Sequence, residues 1–328
     1  MTFDSQFLPA YFFLSVDVFL VILQAISIIG NGLIIYLFYS DSRIRRNLSL
    51  RLLLTLSLTN FLFAVLDLPS IVYFLAKWNP IELNYSGTLV IIFEIPLMFQ
   101  LKIYLLITTA IALDRVQAMR FALYYRKKRP MTYVYQTVSL GLLLASLDML
   151  CNYGCFASPQ FKKYWGLSNI AVNVFMLAIT CFATFEVHNY RRDRCGNHAS
   201  EDENEANKTN KTVVICENLT QTNRLAMGIL IISVLFLTIP CTFAGLLDIF
   251  YEGISNNYNY SIGLLLAGIF NSIVYMVFHI QLRRVAKKKL RNTFRRDSTK
   301  VTKLSVSIGK RTMSVLSPVS HNELILQN

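Results

Sequence analysis

Charge is what this chain has least of. Only 16% of its 328 residues are Asp, Glu, Lys or Arg, where a soluble domain carries about 25%. With 54% hydrophobic residues and a mean hydropathy of +0.44, most of its surface cannot face water. Gly (13) and Pro (8) are sparse while Phe (23) and Tyr (17) are plentiful, which excludes collagen-like and disordered chains. The four His (His188, His198, His279 and His321) are too few and scattered for a His-rich metal site, so no metal or cofactor is expected. Of the six Cys, Cys151, Cys155, Cys181 and Cys241 lie in apolar runs and Cys195 and Cys216 in a polar stretch. That is not the framework of a small disulfide-stapled protein. A membrane protein with several spans remains.

A transmembrane helix needs about 20 mostly apolar residues. Seven runs qualify, three of them with interruptions: Val16–Phe38, Leu48–Leu75, Thr88–Leu113, Tyr133–Phe156, Tyr164–Val187, Leu225–Phe250 and Tyr260–Phe278. The expected architecture is all-α, a seven-transmembrane helix bundle over residues 16–278. No basic n-region or small-residue cleavage site precedes the first run, so it reads as a retained span.

The net charge of +13 could suggest a nucleic-acid partner, but its placement argues against one. Lys and Arg cluster between apolar runs, as membrane-flanking charge does. The first connection holds Arg43, Arg45 and Arg46, and the third holds Arg120 and Arg126 to Arg129. The fifth adds Arg191, Arg192, Arg194, Lys208, Lys211 and Arg224, and the tail twelve more from Arg283 to Arg311. These 26 face only Lys77, Lys162 and Lys163 on the other side. The positive-inside bias therefore puts residues 1–15 outside the cell and the tail in the cytoplasm.

The connections are short except 188–224, whose "SEDENEANKTNKT" core reads as disordered in isolation. After the seventh span, Phe278, Leu282, Val285 and Phe294 fall roughly on one helical face among Lys and Arg. Residues 279–296 are therefore expected to form a short amphipathic helix on the anionic inner leaflet, with membrane lipids as partners. Residues 297–328 are expected to be a disordered cytoplasmic tail. No Cys follows the seventh span, which excludes a palmitoyl anchor there. Asn84 and Asn259 lie in glycosylation sequons on expected outer loops, whereas Asn207, Asn210 and Asn218 lie in sequons on the inner one. No internal repeat is visible.

Four patterns occur in order and on matching sides: Gly30-Asn31, "LSLTNFL" with Asn60, "IALDRVQAM" with Asp114-Arg115, and "NSIVY" from Asn271 to Tyr275. Together they resemble the rhodopsin-like G-protein-coupled receptors over about Val16–Phe294. The departures are informative. Asn60 stands where that family usually has Asp, Val116 replaces the Tyr of Asp-Arg-Tyr, and Ser272 replaces the Pro of Asn-Pro-x-x-Tyr. Pro240 is present in the sixth span, but Thr238 stands where the Trp would be. Val90 sits about where the family's outer Cys would be, so its usual disulfide cannot form. This set of losses resembles the nematode serpentine chemoreceptors.

The resemblance implies roles. Asp114, Arg115, Pro240, Asn271 and Tyr275 would form an activation switch, with Arg115 turning from a resting pair to an inserted partner helix. Asn31 and Asn60 would join Asn271 in one polar network, with Tyr275 as its moving end. A heterotrimeric G protein would be the partner, and a receptor kinase and arrestin would act on a tail rich in Ser and Thr. Leu265 occupies the place of the opsin retinal Lys, and Leu97 that of the amine-receptor Asp; neither ligand class is expected.

Ionisable residues within spans are costly and default to functional hypotheses. Asp67, Glu94, Lys102, Asp148 and Asp248 could line an outward cavity for a small molecule, Lys102 meeting an anionic group or neutralising an acid. The plainer reading makes Lys102 and Glu94 a structural pair. Two rival functions remain. A seven-helix ligand-gated cation channel would need an inside N-terminus, against the charge bias. A transporter would use the same acids as an ion path, but lacks the repeats. No nucleophile motif or clustered metal ligands suggests an enzyme.

Overall fold

In a bilayer every backbone N–H and C=O must be satisfied within the protein, so apolar spans become helices. The computed structural model describes residues 4–42, 44, 50–79, 86–120, 132–155, 159–197, 223–250, 258–289 and 291, and these contain no strand. The helices are α1 (Asp4–Ser40), α2 (Arg51–Lys77), α3 (Gly87–Arg120), α4 (Thr132–Cys155), α5 (Pro159–Asn197), α6 (223–250), α7 (Tyr258–Phe278) and the short α8 (280–289). Seven are long and apolar enough to cross a membrane, and the described residues of each expected span lie on one of them.

Three helices outrun the bilayer. At 1.5 Å per residue, the 37 residues of α1, 34 of α3 and 39 of α5 are each longer than the roughly 30 Å of hydrocarbon. Helix α1 starts at Asp4, well before the apolar run at Val16, and α5 carries helical geometry through Asn197 into the expected 188–224 loop.

Helix α3 runs through the bundle against α2, α4 and α5, while α1 packs on α2 and α7, and α5 on α6. The outward faces are apolar: Phe19, Ile22, Ile26 and Ile29 on α1, Leu147 and Leu150 on α4, and Phe175, Phe182 and Phe185 on α5. The inward faces hold amides and hydroxyls, among them Gln24, Asn31, Asn60, Gln100 and Asn271. This inside-out polarity suits lipid and not water.

Two prolines shape the spans. Pro69 has no N–H to return to the Val65 carbonyl, and α2 divides at Asp67 into Arg51–Leu66 and Leu68–Lys77. The break is bridged locally: Ser70 N–H and hydroxyl both donate to the Asp67 carbonyl, at 3.2 and 2.8 Å. Pro240 likewise cannot donate to Phe236. Just before it α6 widens into a π turn, Val234–Thr238, with Ile239 N–H reaching back to the Val234 carbonyl.

The expected amphipathic helix is described over 280–289. Leu282 is buried and Arg283, Arg284 and Lys287 to Lys289 are exposed. Its start is capped by His279, whose Nδ1 accepts the Leu282 N–H at 3.1 Å. Only neutral imidazole can accept there. Burial pushes the His279 pKa from 6.5 down to about 4. Because the folded value is depressed, the cap contributes fully above pH 6.5 and is lost as pH falls towards 4. Protection of the 280–285 amides, taken relative to intrinsic exchange at each pH, should therefore fall on acidification, and His279→Asn should abolish that loss.

Candidate functional site

The buried polar groups lie at three depths. In the middle, Asn271 of α7 donates through Nδ2 to the Tyr104 hydroxyl of α3 at 2.9 Å. Tyr104 stands 3.0 Å from the Ser233 hydroxyl of α6, and Ser233 donates to the Ile229 carbonyl at 2.9 Å. A serine has one proton. With that proton on Ile229, the Tyr104 proton must point at Ser233, so the chain runs one way, from α7 through α3 into α6.

Four further hydrogen bonds lie around this level. Asn31 Nδ2 donates to the Ser27 carbonyl at 3.0 Å and the Gly268 carbonyl at 3.4 Å. Gln100 Nε2 donates to Asn60 Oδ1 at 2.9 Å. The Tyr275 hydroxyl donates to the Leu53 carbonyl at 2.9 Å, pinning α7 to α2. A Cβ at Gly268 would meet Asn60 and the Ser27 hydroxyl at 3.4 Å, an ordinary contact, so α1, α2 and α7 are closely packed at this point. The structure thus replaces the single expected network with separate ties. Tyr275 does not extend the Asn271 chain; its hydroxyl is engaged with Leu53. Tyr104, Gln100 and Ser233 were not expected here, although Gln100, Tyr104 and Thr108 recur at four-residue spacing along one face of an apolar helix.

Towards the Arg120 end of α3, Arg115 is buried and ion-paired with its neighbour Asp114. Flanking Arg115 on α3, Ala112 and Val116 pack with Ala183 of α5 and Leu230 of α6, beside Ile179 and Met227. Around Arg115, α3, α5 and α6 are therefore closed on one another. Arg120, also unforeseen as a contact, pairs with Glu186 of α5 and lies over the Phe182 ring at 5.1 Å. Being exposed, that pair adds little stability; it joins α3 to α5 near the Arg120 end of α3. Arg126 to Arg129 and the tail hydroxyls lie outside the described residues.

Towards the Gly87 end of α3 the expected acids separate. Lys102 of α3 meets Asp148 of α4 at 3.0 Å and donates to the Ser168 hydroxyl of α5 at 3.0 Å. The Lys102–Glu94 pairing is corrected by helix geometry: eight residues along one helix are about 12 Å. The acid that Lys102 neutralises is Asp148. Asp67 instead accepts from Gln24 Nε2 of α1 at 2.9 Å and from Ser70. Glu94 is half-buried. The side chain of Asp248 and residue Asn84 lie outside the described residues, and Asn259 stands in the first turn of α7. Pro240 follows the π turn, whose Thr238 hydroxyl is buried. Among the described residues no three His, Cys, Asp or Glu side chains group as a metal would require.

No protein-family profile and no curated sequence matches the chain. Among solved structures, the crystal structure of squid rhodopsin matches with a TM-score of 0.65, covering 87% of this chain and 87% of that one, at 17% sequence identity. The chain has the seven-helix fold of that rhodopsin.

Proposed function

We propose that the chain is a receptor that binds a small external molecule and activates a heterotrimeric G protein, and that its role is chemoreception. The observation that carries this reading is the pairing of a buried Arg115 with a closed inner face below a directed α7–α3–α6 hydrogen-bond chain. Such an element has two arrangements available. In one, Leu230 and Ser233 hold α6 against α3. In the other, α6 swings out, Arg115 is uncovered, and a partner helix enters. Ligand and G protein then bias the same equilibrium, so each must raise the affinity of the other by the same factor.

The same reading puts the protein in the plasma membrane with residues 1–15 outside. The basic 283–289 segment rests on the anionic inner leaflet, and the tail is a substrate for a receptor kinase and a site for arrestin. Leu265 is buried and apolar, so no retinal linkage is part of the proposal. The neutralised Lys102–Asp148 pair supports a fixed brace more than a transporter's ion path, and the chain is not proposed to be an enzyme.

Nucleotide exchange on purified Gα subunits by the protein in nanodiscs tests the reading. Tyr104→Phe removes the α3–α6 link; interhelical hydrogen bonds are worth about 0.6 kcal/mol, reaching about 1.7, so ligand-free exchange should rise roughly three- to eighteen-fold. Arg115→Ala should abolish exchange while the fold persists. No exchange in any of the three proteins, or exchange indifferent to both substitutions, rules the G-protein role out.

A further inference from the structure

Helix α5 turns one stripe inward: Asn169, Asn173, Met176, Thr180 and Ala183, all buried and at three- and four-residue spacing. At the inner end of that stripe, Ala183 packs with Ala112 of α3 and Leu230 of α6. Depths along the three helices can be counted from this cluster at 1.5 Å per residue. Asn173 lies ten residues outward of Ala183 and Lys102 ten outward of Ala112, about 15 Å in each case. Thr238 lies eight outward of Leu230, about 12 Å. These residues share one level in the outer half of the bundle, with Asn169 a turn above.

Five buried polar atoms at this level make no hydrogen bond to the protein: Asn169 Oδ1 and Nδ2, Asn173 Oδ1, Thr238 Oγ1 and Asp148 Oδ2, the last of which is answered only by its ion pair with Lys102. Asn169 is 0% exposed. The remaining Asn173 amide nitrogen is committed to the Asn169 carbonyl at 2.8 Å. Buried polar groups are almost always paired, because leaving one unmade forfeits its hydration. The cation at this level is already answered, since Lys102 holds Asp148 and Ser168. What the seam offers is therefore hydrogen bonding without net charge.

We propose that this α3–α5–α6 level binds the external ligand, and that the ligand presents an uncharged group with a donor beside an acceptor, such as a lactam, carboxamide or urea, to the Asn169 side chain. The inference rests on the receptor reading above and gives its ligand a chemical class. A primary carboxamide donates through Nδ2 and accepts through Oδ1, so a ligand amide satisfies both atoms at once. Asn173 Oδ1 and the Thr238 hydroxyl take further polar groups. A carboxylate would set acceptors against Asn169 Oδ1 and Asn173 Oδ1. An ammonium group would leave Asn169 Nδ2 unanswered. Both are disfavoured by the same count.

The test titrates the full-length protein in nanodiscs with 2-pyrrolidone, acetate and methylammonium, read by saturation-transfer NMR. The lactam places its N–H and C=O side by side and should bind about tenfold more tightly than either ion, the worth of one well-made hydrogen bond. Asn169→Leu and Asn173→Leu should each weaken the lactam by about tenfold or more. The wild-type ranking needs no variant, so it stands even where a substitution harms folding. Equal binding of the three probes, preference for an ion, no binding, or lactam binding unchanged in Asn169→Leu overturns the proposal. No probe binding together with a more stable Asn169→Leu protein identifies the level as a water site, which overturns it too. The receptor reading fails separately: lactam binding without nucleotide exchange sinks that reading alone, and exchange without selective lactam binding sinks only the site.

Discussion

Lys102→Met should lower the stability of the bundle by about 3–5 kcal/mol, the size seen when one partner of a buried ion pair is removed. Lys102 and Asp148 are both almost wholly buried and meet at 3.0 Å. Methionine keeps the length of the side chain but leaves the Asp148 carboxylate with no cation in a low-dielectric seam. Asp148→Asn should be costly for the mirror-image reason, stranding the ammonium. The double variant Lys102→Met/Asp148→Leu removes both charges and should recover most of the loss. Thermal unfolding in detergent measures all three. Single variants as stable as the wild type would show that the charges are not held against each other inside the bundle.

Gly263→Ala should produce the next largest effect. A Cβ at Gly263 would stand 2.5 Å from the Phe236 carbonyl oxygen. That oxygen belongs to the backbone of the π turn and cannot rotate away, so α6 or α7 must shift. Overpacking of this kind costs about 1–3 kcal/mol. The displaced segment joins the halves of α6, so ligand-free nucleotide exchange should change together with melting temperature. Gly32→Ala is the control: its Cβ would meet the Phe61 ring at 3.4 Å, an ordinary contact with a side chain that can adjust. It should be nearly neutral or slightly stabilising, given alanine's helix propensity. Equal effects at the two glycines would mean that helix propensity and not the Phe236 contact governs Gly263.

The spans were legible because lipid imposes one simple rule, a long apolar run closed on its own hydrogen bonds, and because composition and Lys/Arg placement report it directly. Partner choice inside the bundle was not legible. Lys102 announced itself as an intramembrane cation, but its acid is set by how closely α3 and α4 approach. Gly141 allows that approach, since a Cβ there would lie 3.1 Å from the Ile103 backbone, and Asp148 follows two turns further along the same face. Pro240 signalled a disturbance in α6; the π turn and the carbonyl seated on Gly263 depend on what α7 presents. Tyr104 was hidden by its own type, because a tyrosine in an apolar run looks like core until Asn271 and Ser233 arrive from other helices. Asn169 and Asn173 carried a readable sign, two amides at four-residue spacing in a span, but only their missing partners make them a site.

Every functional assignment depends on which side of the membrane the Arg115 end faces, so sidedness is the measurement to make. Glycosylation of the full-length protein in cells is read at Asn84, Asn259, Asn207, Asn210 and Asn218, alongside the surface accessibility of tags at both termini. The account predicts glycan at Asn84 or Asn259, none at the three sites between α5 and α6, an accessible N-terminal tag and a protected C-terminal one. Glycan at Asn207, Asn210 or Asn218 with a protected N-terminus would put Arg115 outside the cell. No G protein could then reach it, and a ligand-gated channel would take the receptor's place.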